Sequence, residues 1–251
     1  MGKLDGKVAI VTGGSRDLGR AVSLKLAAEG AKVCLNYRGS EEAAQETLEL
    51  IRKAGGEAIA VKGDMTKAAD VKNLFGKAKE AFGPVLHILV NVVGGIMGRK
   101  LIVEQDEAWY DLLMDVNMRS TFLCTREAVP MMTEGGSIVN FSSQAGRDGG
   151  GPGASMYATA KAAVMCHTRA MAKELGPQGI RVNAVAPGMI NTSFHDIFTK
   201  PAARENLHAT APLRREGEAC EVADLVCYLA SEESSYITGT NIDINGGCLF
   251  S

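Results

Sequence analysis

Seven short, predominantly aliphatic runs recur along the chain: Val8 to Val11, Lys32 to Leu35, Ala58 to Val61, Leu86 to Val90, Ser137 to Phe141, Arg181 to Val185 and Asn241 to Ile244. A strand with one wet face alternates apolar and polar residues, whereas a continuous apolar run belongs where both faces are covered. Segments of helical length and period separate the runs, among them Leu18 to Glu29, Glu41 to Lys53 and Asp70 to Phe82. Each closes on a nearby glycine (Gly30, Gly55, Gly83), a residue suited to the left-handed backbone at a helix end. The pattern predicts an α/β chain with a doubly wound, seven-stranded parallel sheet flanked by helices. Right-handed crossovers and a ligand crevice at the carboxyl edge, where strand order reverses, follow from that architecture.

A chain of 251 residues, 46% of them apolar, has enough material for one such unit, and no composition break or repeat divides it. A single domain over residues 1–251 is therefore expected. Gly188 to Glu218, which contains Pro201 and Pro212, has no strand or helix pattern of its own and reads as an insertion over the site. A net charge of −2 without a basic run leaves no footprint for nucleic acid. No apolar stretch reaches the roughly eighteen residues a membrane helix needs, and the first apolar run, Val8 to Val11, leads straight into a glycine turn rather than an export signal. The expectation is a cytoplasmic protein with no nucleic-acid or membrane partner. Six cysteines (Cys34, Cys124, Cys166, Cys220, Cys227, Cys248) and four histidines (His87, His167, His195, His208) show no Cys-x-x-Cys or zinc-ligand spacing. The cysteines read as small buried hydrophobes, the histidines are assigned no chemistry, and no metal is expected.

After the first run comes Thr12-Gly-Gly-Ser-Arg-Asp-Leu-Gly19, opening directly into a helix. Glycines at such a turn let the backbone approach a pyrophosphate, and the helix start offers oriented N–H donors. The segment resembles the TGxxxGxG fingerprint of the classical short-chain dehydrogenase/reductase family, which has a Rossmann fold and binds NAD(P). Gly13 and Gly19 match the outer glycines, Ser15, Arg16 and Leu18 fill the turn, and Asp17 stands where the family has its middle glycine. Aspartate tolerates left-handed backbone, but its charge lies near the expected phosphates. The second run ends in Asn36, Tyr37 and Arg38, with no acid to take a ribose hydroxyl. Arg38, with Arg16 as a second cation, therefore favours NADP(H), with NAD(H) as the second choice. Asp64, followed by Met65, matches the aspartate that contacts adenine in the family and is equally suited to cap the next helix. Asn91 and Gly94 keep two positions of the family's NNAG segment, with Val92 in place of the second asparagine.

Tyr157 and Lys161 stand four apart in a helical stretch, so a phenol and an ammonium share one face. A free phenol titrates near pH 10, and a neighbouring cation favours the phenolate that a base near neutrality requires. Fourteen residues earlier the fifth run ends in Ser142-Ser143, a hydroxyl at the sheet's carboxyl edge, and strand alternation selects Ser143. Asn117, Ser143, Tyr157 and Lys161 match the family's catalytic set in order, and Pro187, Gly188, Ile190 and Thr192 match its nicotinamide-binding segment. The resemblance extends over essentially the whole chain, including Ile237 to Gly239 and Asn245 to Gly247.

It implies hydride transfer between a nicotinamide cofactor and a ketone or secondary alcohol of a small molecule. Glucose dehydrogenase-like members and 3-oxoacyl-[acyl-carrier-protein] reductases are the subgroups most similar. The latter dock an acidic carrier through basic residues, and the corresponding places here read Thr133-Glu134-Gly135 and Gln178. A catalytically silent dinucleotide sensor is the alternative of another class, kept open by Asp17 and Val92. The helix from Met156 to Leu175 has small and apolar residues on more than one face (Ala160, Ala163, Val164, Met165, Met171). Together with the family likeness this points to a homotetramer, and intramolecular core accounts for many of the same residues.

Overall fold

The computed structural model describes residues 2–250. Six strands come first: β1 (Val8–Thr12), β2 (Lys32–Tyr37), β3 (Ala58–Lys62), β4 (Leu86–Asn91), β5 (Met132–Phe141) and β6 (Arg181–Pro187). A small parallel ladder of β7 (Ile190–Asn191) and β8 (Gly217–Glu218) stands apart, and β9 (Asn241–Ile244) completes the main sheet. Its seven strands lie in the order β3-β2-β1-β4-β5-β6-β9, all parallel. Each expected run is a strand, and β5 also reaches back to Met132, where its register with β4 slips between Leu86 and Ile88.

The continuous apolar strands are explained by two cores, one on each face. Ala9, Val11, Val33 and Leu35 point to one side, under α1 (Asp17–Ala28) and α2 (Glu41–Lys53). Val8, Ile10, Cys34 and Leu89 point to the other, where Leu74 and Phe75 of α3 (Ala68–Phe82) meet them. Alternate side chains of one strand thus serve opposite cores. Beyond β4 come α4 (Glu107–Met114), α5 (Ser120–Ala128), a single turn α6 (Ala145–Asp148) and the long α7 (Ser155–Leu175). Between α4 and α5 the turn Asp115–Arg119 is a π-helix, with Asn117 Nδ2 donating to Leu113 O at 2.9 Å inside it.

The segment 188–218 is more regular than its sequence implies. It folds into α8 (Ser193–Phe198) and α9 (Pro201–Thr210), the latter with proline at its first turn, where no N–H is needed. Arg204 braces both helices: Nε and Nη2 grip the two oxygens of buried Glu216 at 2.6 and 2.7 Å, and Nη1 meets Asp196. These ion pairs link residues eight and twelve positions apart, which no local periodicity announces. The last helix, α10 (Ala219–Ala230), packs on α1. No helix among the described residues is long and apolar enough to cross a membrane.

Candidate active site

The chain visits β1, β2 and β3, then crosses back to add β4 beside β1. Ligands of open α/β sheets bind in the crevice that this reversal opens at the strands' carboxyl ends. A cavity of about 720 Å³ occupies that place here, within the range of small-molecule sites.

One end is the glycine turn. Gly13 takes a φ of 63°, and a Cβ on Gly19 would stand 2.0 Å from Gly13 O, so the turn closes only with glycine there. Asn36 Oδ1 accepts from Gly13 N at 3.2 Å and its Nδ2 donates to Gly63 O at 2.9 Å, tying β1, β2 and β3 together below the turn. Asp17 adopts the left-handed φ of 48° that its position requires. Its carboxylate turns toward Ser193 at the start of α8, accepting from the backbone N at 3.0 Å and from Oγ at 2.7 Å. Arg16 stands outside, its Nε 3.9 Å from Asp17.

At the end of β2 the Arg38 head is two-thirds exposed and lies 3.8 Å from Asp64. Burial disfavours the Asp64 carboxylate, yet the Thr66 N–H and hydroxyl bonds at 3.0 and 2.8 Å, with Arg38, hold its pKa below the usual value. Backbone that only glycine fits, a helix start of α1 and two exposed guanidinium groups suit a dinucleotide with a charged ribose. Thr12 Oγ1 accepts from both Val92 N (3.0 Å) and Val93 N (3.2 Å), so this segment stays anchored although Val92 has no amide.

The other end carries the reactive groups. Tyr157 and Lys161 sit one turn apart on α7, with Lys161 Nζ 5.9 Å from the Tyr157 ring centre and donating to Phe141 O at 2.7 Å. Ser143 and Tyr157 border the same cavity, and Ser143 Oγ accepts from Ala145 N at 3.2 Å. Ser142 turns away, its hydroxyl donating to Val185 O at 2.8 Å and contacting Asn241. Asn117 does not border the cavity. It clamps the adjoining backbone instead, accepting from Gly95 N at 2.9 Å and donating to Gly95 O at 3.0 Å. Gly94 makes this junction feasible, because a Cβ there would sit 2.7 Å from both Asn117 Oδ1 and Lys161 Nζ.

Electrostatics differ from the expectation of a lysine-acidified phenol. Burial pushes the Tyr157 pKa up, and the opposing influence is the Ser143 hydrogen bond rather than Lys161. Burial also pushes Lys161 down to about 8, because a buried ammonium loses its hydration. The ammonium donates to Phe141 O at 2.7 Å.

Of the residues singled out from the sequence, Gly13, Ser15, Arg16, Asp17, Leu18, Gly19, Arg38, Asp64, Met65, Gly94, Ser143, Tyr157, Lys161, Pro187, Gly188, Ile190 and Thr192 border the cavity. Asn91 does not: its Nδ2 donates to Asn140 Oδ1 at 2.8 Å within the sheet. Sequence reasoning missed the far wall, where Met97, Arg99, Phe194, His195, Ile197 and Phe198 border the same space. No periodicity marks these residues, since they come from one loop and a short helix that meet only in the folded chain. The cysteine expectation needs a correction as well. Cys34, Cys124 and Cys227 are buried, burial raising the first two to about 12, but Cys166 and Cys220 are exposed on outward helix faces. No group of metal-ligating side chains occurs among the described residues.

A dinucleotide-dependent oxidoreductase is the class that this fold and this cleft define together. The chain belongs to the short-chain dehydrogenase/reductase family: residues 13–248 match the family model described as Enoyl-(Acyl carrier protein) reductase. A 3-oxoacyl-[acyl-carrier-protein] reductase of Staphylococcus aureus is 37% identical over 243 residues, which span 96% of this chain and 97% of that one. A short-chain dehydrogenase/reductase of Serratia marcescens superposes with a TM-score of 0.92 at 36% identity, covering 98% of both chains. A short chain dehydrogenase of Burkholderia cenocepacia, solved in complex with NADP, has a TM-score of 0.91 at 36% identity over 98% of both chains. The protein is accordingly an NAD(P)-dependent oxidoreductase acting on CH–OH groups.

Proposed function

We propose that the protein is an NADP(H)-preferring reductase of a small ketone, working reversibly on the corresponding secondary alcohol. The observation that carries this reading is the meeting of Ser143 and Tyr157 in one cavity with the glycine turn and Arg38. The cofactor, when bound, supplies or takes the hydride at its nicotinamide C4. Tyr157 Oη gives a proton to the substrate oxygen in reduction and takes one in oxidation, with Ser143 Oγ donating a hydrogen bond to that oxygen. Lys161, within reach of the ribose-facing wall beside Gly94, fixes the ribose, and Asn117 positions that wall through Gly95. Pro187, Gly188, Ile190 and Thr192 hold the carboxamide, Gly13, Ser15, Leu18 and Gly19 the pyrophosphate, Asp64 and Met65 the adenine, and Arg16 and Arg38 a 2′-phosphate. Residues 188–218 cover the substrate.

We further propose a homotetramer in the cytoplasm, a setting that suits six free cysteines. The name of the S. aureus relative favours a second reading, reduction of a 3-oxoacyl group on an acidic carrier. Against it, Gly135 N bonds Gly179 O at 3.0 Å, which brings the two carrier-docking places side by side with exposed Glu134 between them. An acid there repels an acidic partner.

A spectrophotometric screen of NADPH oxidation against free ketones and 3-oxoacyl thioesters tests the reading. Free ketones should turn over, and Tyr157→Phe should lower kcat by about 10²–10⁴-fold or more while NADPH binding persists. Tight cofactor binding with no turnover of any carbonyl would instead make the chain a dinucleotide sensor.

A further inference from the structure

We propose that the substrate carries a carboxylate and that Arg99 selects it, an inference that rests on the carbonyl-reductase reading above. Arg99 borders the cavity from the loop between β4 and α4, on the side away from the glycine turn. The cavity's other cations are committed elsewhere. Arg16 and Arg38 stand at the nucleotide end, and Lys161 is buried with its Nζ on Phe141 O at 2.7 Å. Lys100, next to Arg99 in sequence, does not border the cavity, and its Nζ lies 4.7 Å from the centre of the Trp109 ring.

Arg99 has no carboxylate partner among the described residues. One arm, Nη1, donates to Pro152 O at 3.1 Å, which fixes the guanidinium across the glycine-rich loop that follows Ser143. That bond leaves the planar group oriented, with its remaining N–H donors free to meet a ligand. Asp148 also borders the cavity, its carboxylate turned to its own loop: Oδ2 accepts from Gln144 Nε2 at 3.0 Å and Oδ1 from Gly150 N at 2.8 Å.

The opposite wall is α8, where Phe194, Ile197 and Phe198 are apolar and His195 Nδ1 pairs with Thr199 Oγ1 at 2.7 Å. Burial lowers the His195 pKa against the opposing pull of Glu216 and Asp196, with Arg204 and Arg99 adding to the lowering, so the imidazole is no second cation beside Arg99 near pH 7. An exposed but preoriented guanidinium, without an acid of its own and bordering the same cavity as Ser143 and Tyr157, offers a carboxylate charge-assisted bidentate donors. An oxo acid, or the hydroxy acid it forms, meets Ser143 and Tyr157 with its carbonyl and Arg99 with its carboxylate.

The test uses matched pairs, each an oxo acid and its methyl ester, with an uncharged 3-oxoacyl thioester as a third arm. Wild type and Arg99→Gln are assayed with NADPH, whose affinity is followed by fluorescence titration. The wild type should prefer the acid, and Arg99→Gln should lower kcat/KM for the acid roughly tenfold or more while the ester changes by no more than about twofold. NADPH affinity should not move. If acid and ester fall together, Arg99 is only a strap on the 149–153 loop and the proposal is overturned, as it is if wild type prefers the ester or the thioester. Turnover of no carbonyl in any arm would overturn the reductase reading itself.

Discussion

A hydrogen bond from Ser143 opposes the desolvation that raises the Tyr157 pKa. Reduction needs the protonated phenol, so its rate is retained below the Tyr157 pKa and lost as pH rises through it; oxidation needs phenolate and shows the reverse. Removing a hydrogen bond that lowers the pKa must raise it. Ser143→Ala should therefore move the oxidation limb of the kcat–pH profile to higher pH, as well as cutting kcat by about 10²-fold, and an unshifted limb would separate Ser143 from the phenol. At the nucleotide end the proposed NADP(H) preference rests on Arg38, whose head is two-thirds exposed and 3.8 Å from Asp64. Arg38→Ser should raise KM for NADPH about tenfold with little change for NADH, read from initial rates with each cofactor.

The elements that decide specificity are short. The π-turn at Asp115–Arg119 widens a helix enough for Asn117 to reach Gly95, and the chain keeps that turn because both amide groups of the asparagine are satisfied there. α8 is held over the cleft from both sides, by Arg204 beneath it and by Asp17 at its start. Asp17 replaces a flexible glycine with an anchor and brings a negative charge beside the phosphate cradle. Asp17→Gly removes both. NADPH should then bind a few-fold more tightly, while substrate KM rises by a similar factor because Ser193 loses two charge-assisted bonds. Cofactor titration and steady-state kinetics on the same variant separate the two effects, and an unchanged pair of constants would deny the clasp any role.

Over the whole molecule, the homotetramer proposed above needs an apolar surface, and α7 offers part of one: Ala163 and Met171 stay partly exposed. On α7, Ala160, Val164 and Met165 are buried within the chain itself. A further six exposed apolar residues lie before and along α4 and α5: Leu101, Ile102, Val103, Tyr110, Leu112 and Phe122, with Val103 89% exposed. A face this apolar is costly in water and normally meets a partner. Light scattering coupled to size exclusion should return a tetramer, and Tyr110→Glu together with Phe122→Glu should return a smaller species with an intact α/β circular-dichroism spectrum. A monomeric wild type would rule the assembly out.

The amino-acid sequence by itself determined the sheet, the position of the glycine turn and the Tyr157–Lys161 pair, because each follows from a local rule: strand alternation, the steric demands of a tight turn, the pitch of a helix. Gly19 is fixed in the same local way, because a side chain there would run into Gly13 O of its own turn, whereas the crowding at Gly94 comes from remote Asn117 and Lys161. Only the tertiary structure decided which groups stand opposite one another across the cleft. Asp17 meets Ser193 across 176 positions of chain, and Arg99 faces α8 from a separate loop. Interactions between remote segments depend on how crossovers and insertions close in space, and on desolvation that exists only after closure. That is why the Tyr157 and Lys161 pKa values, the order hidden in residues 188–218 and the substrate wall had no counterpart in local pattern.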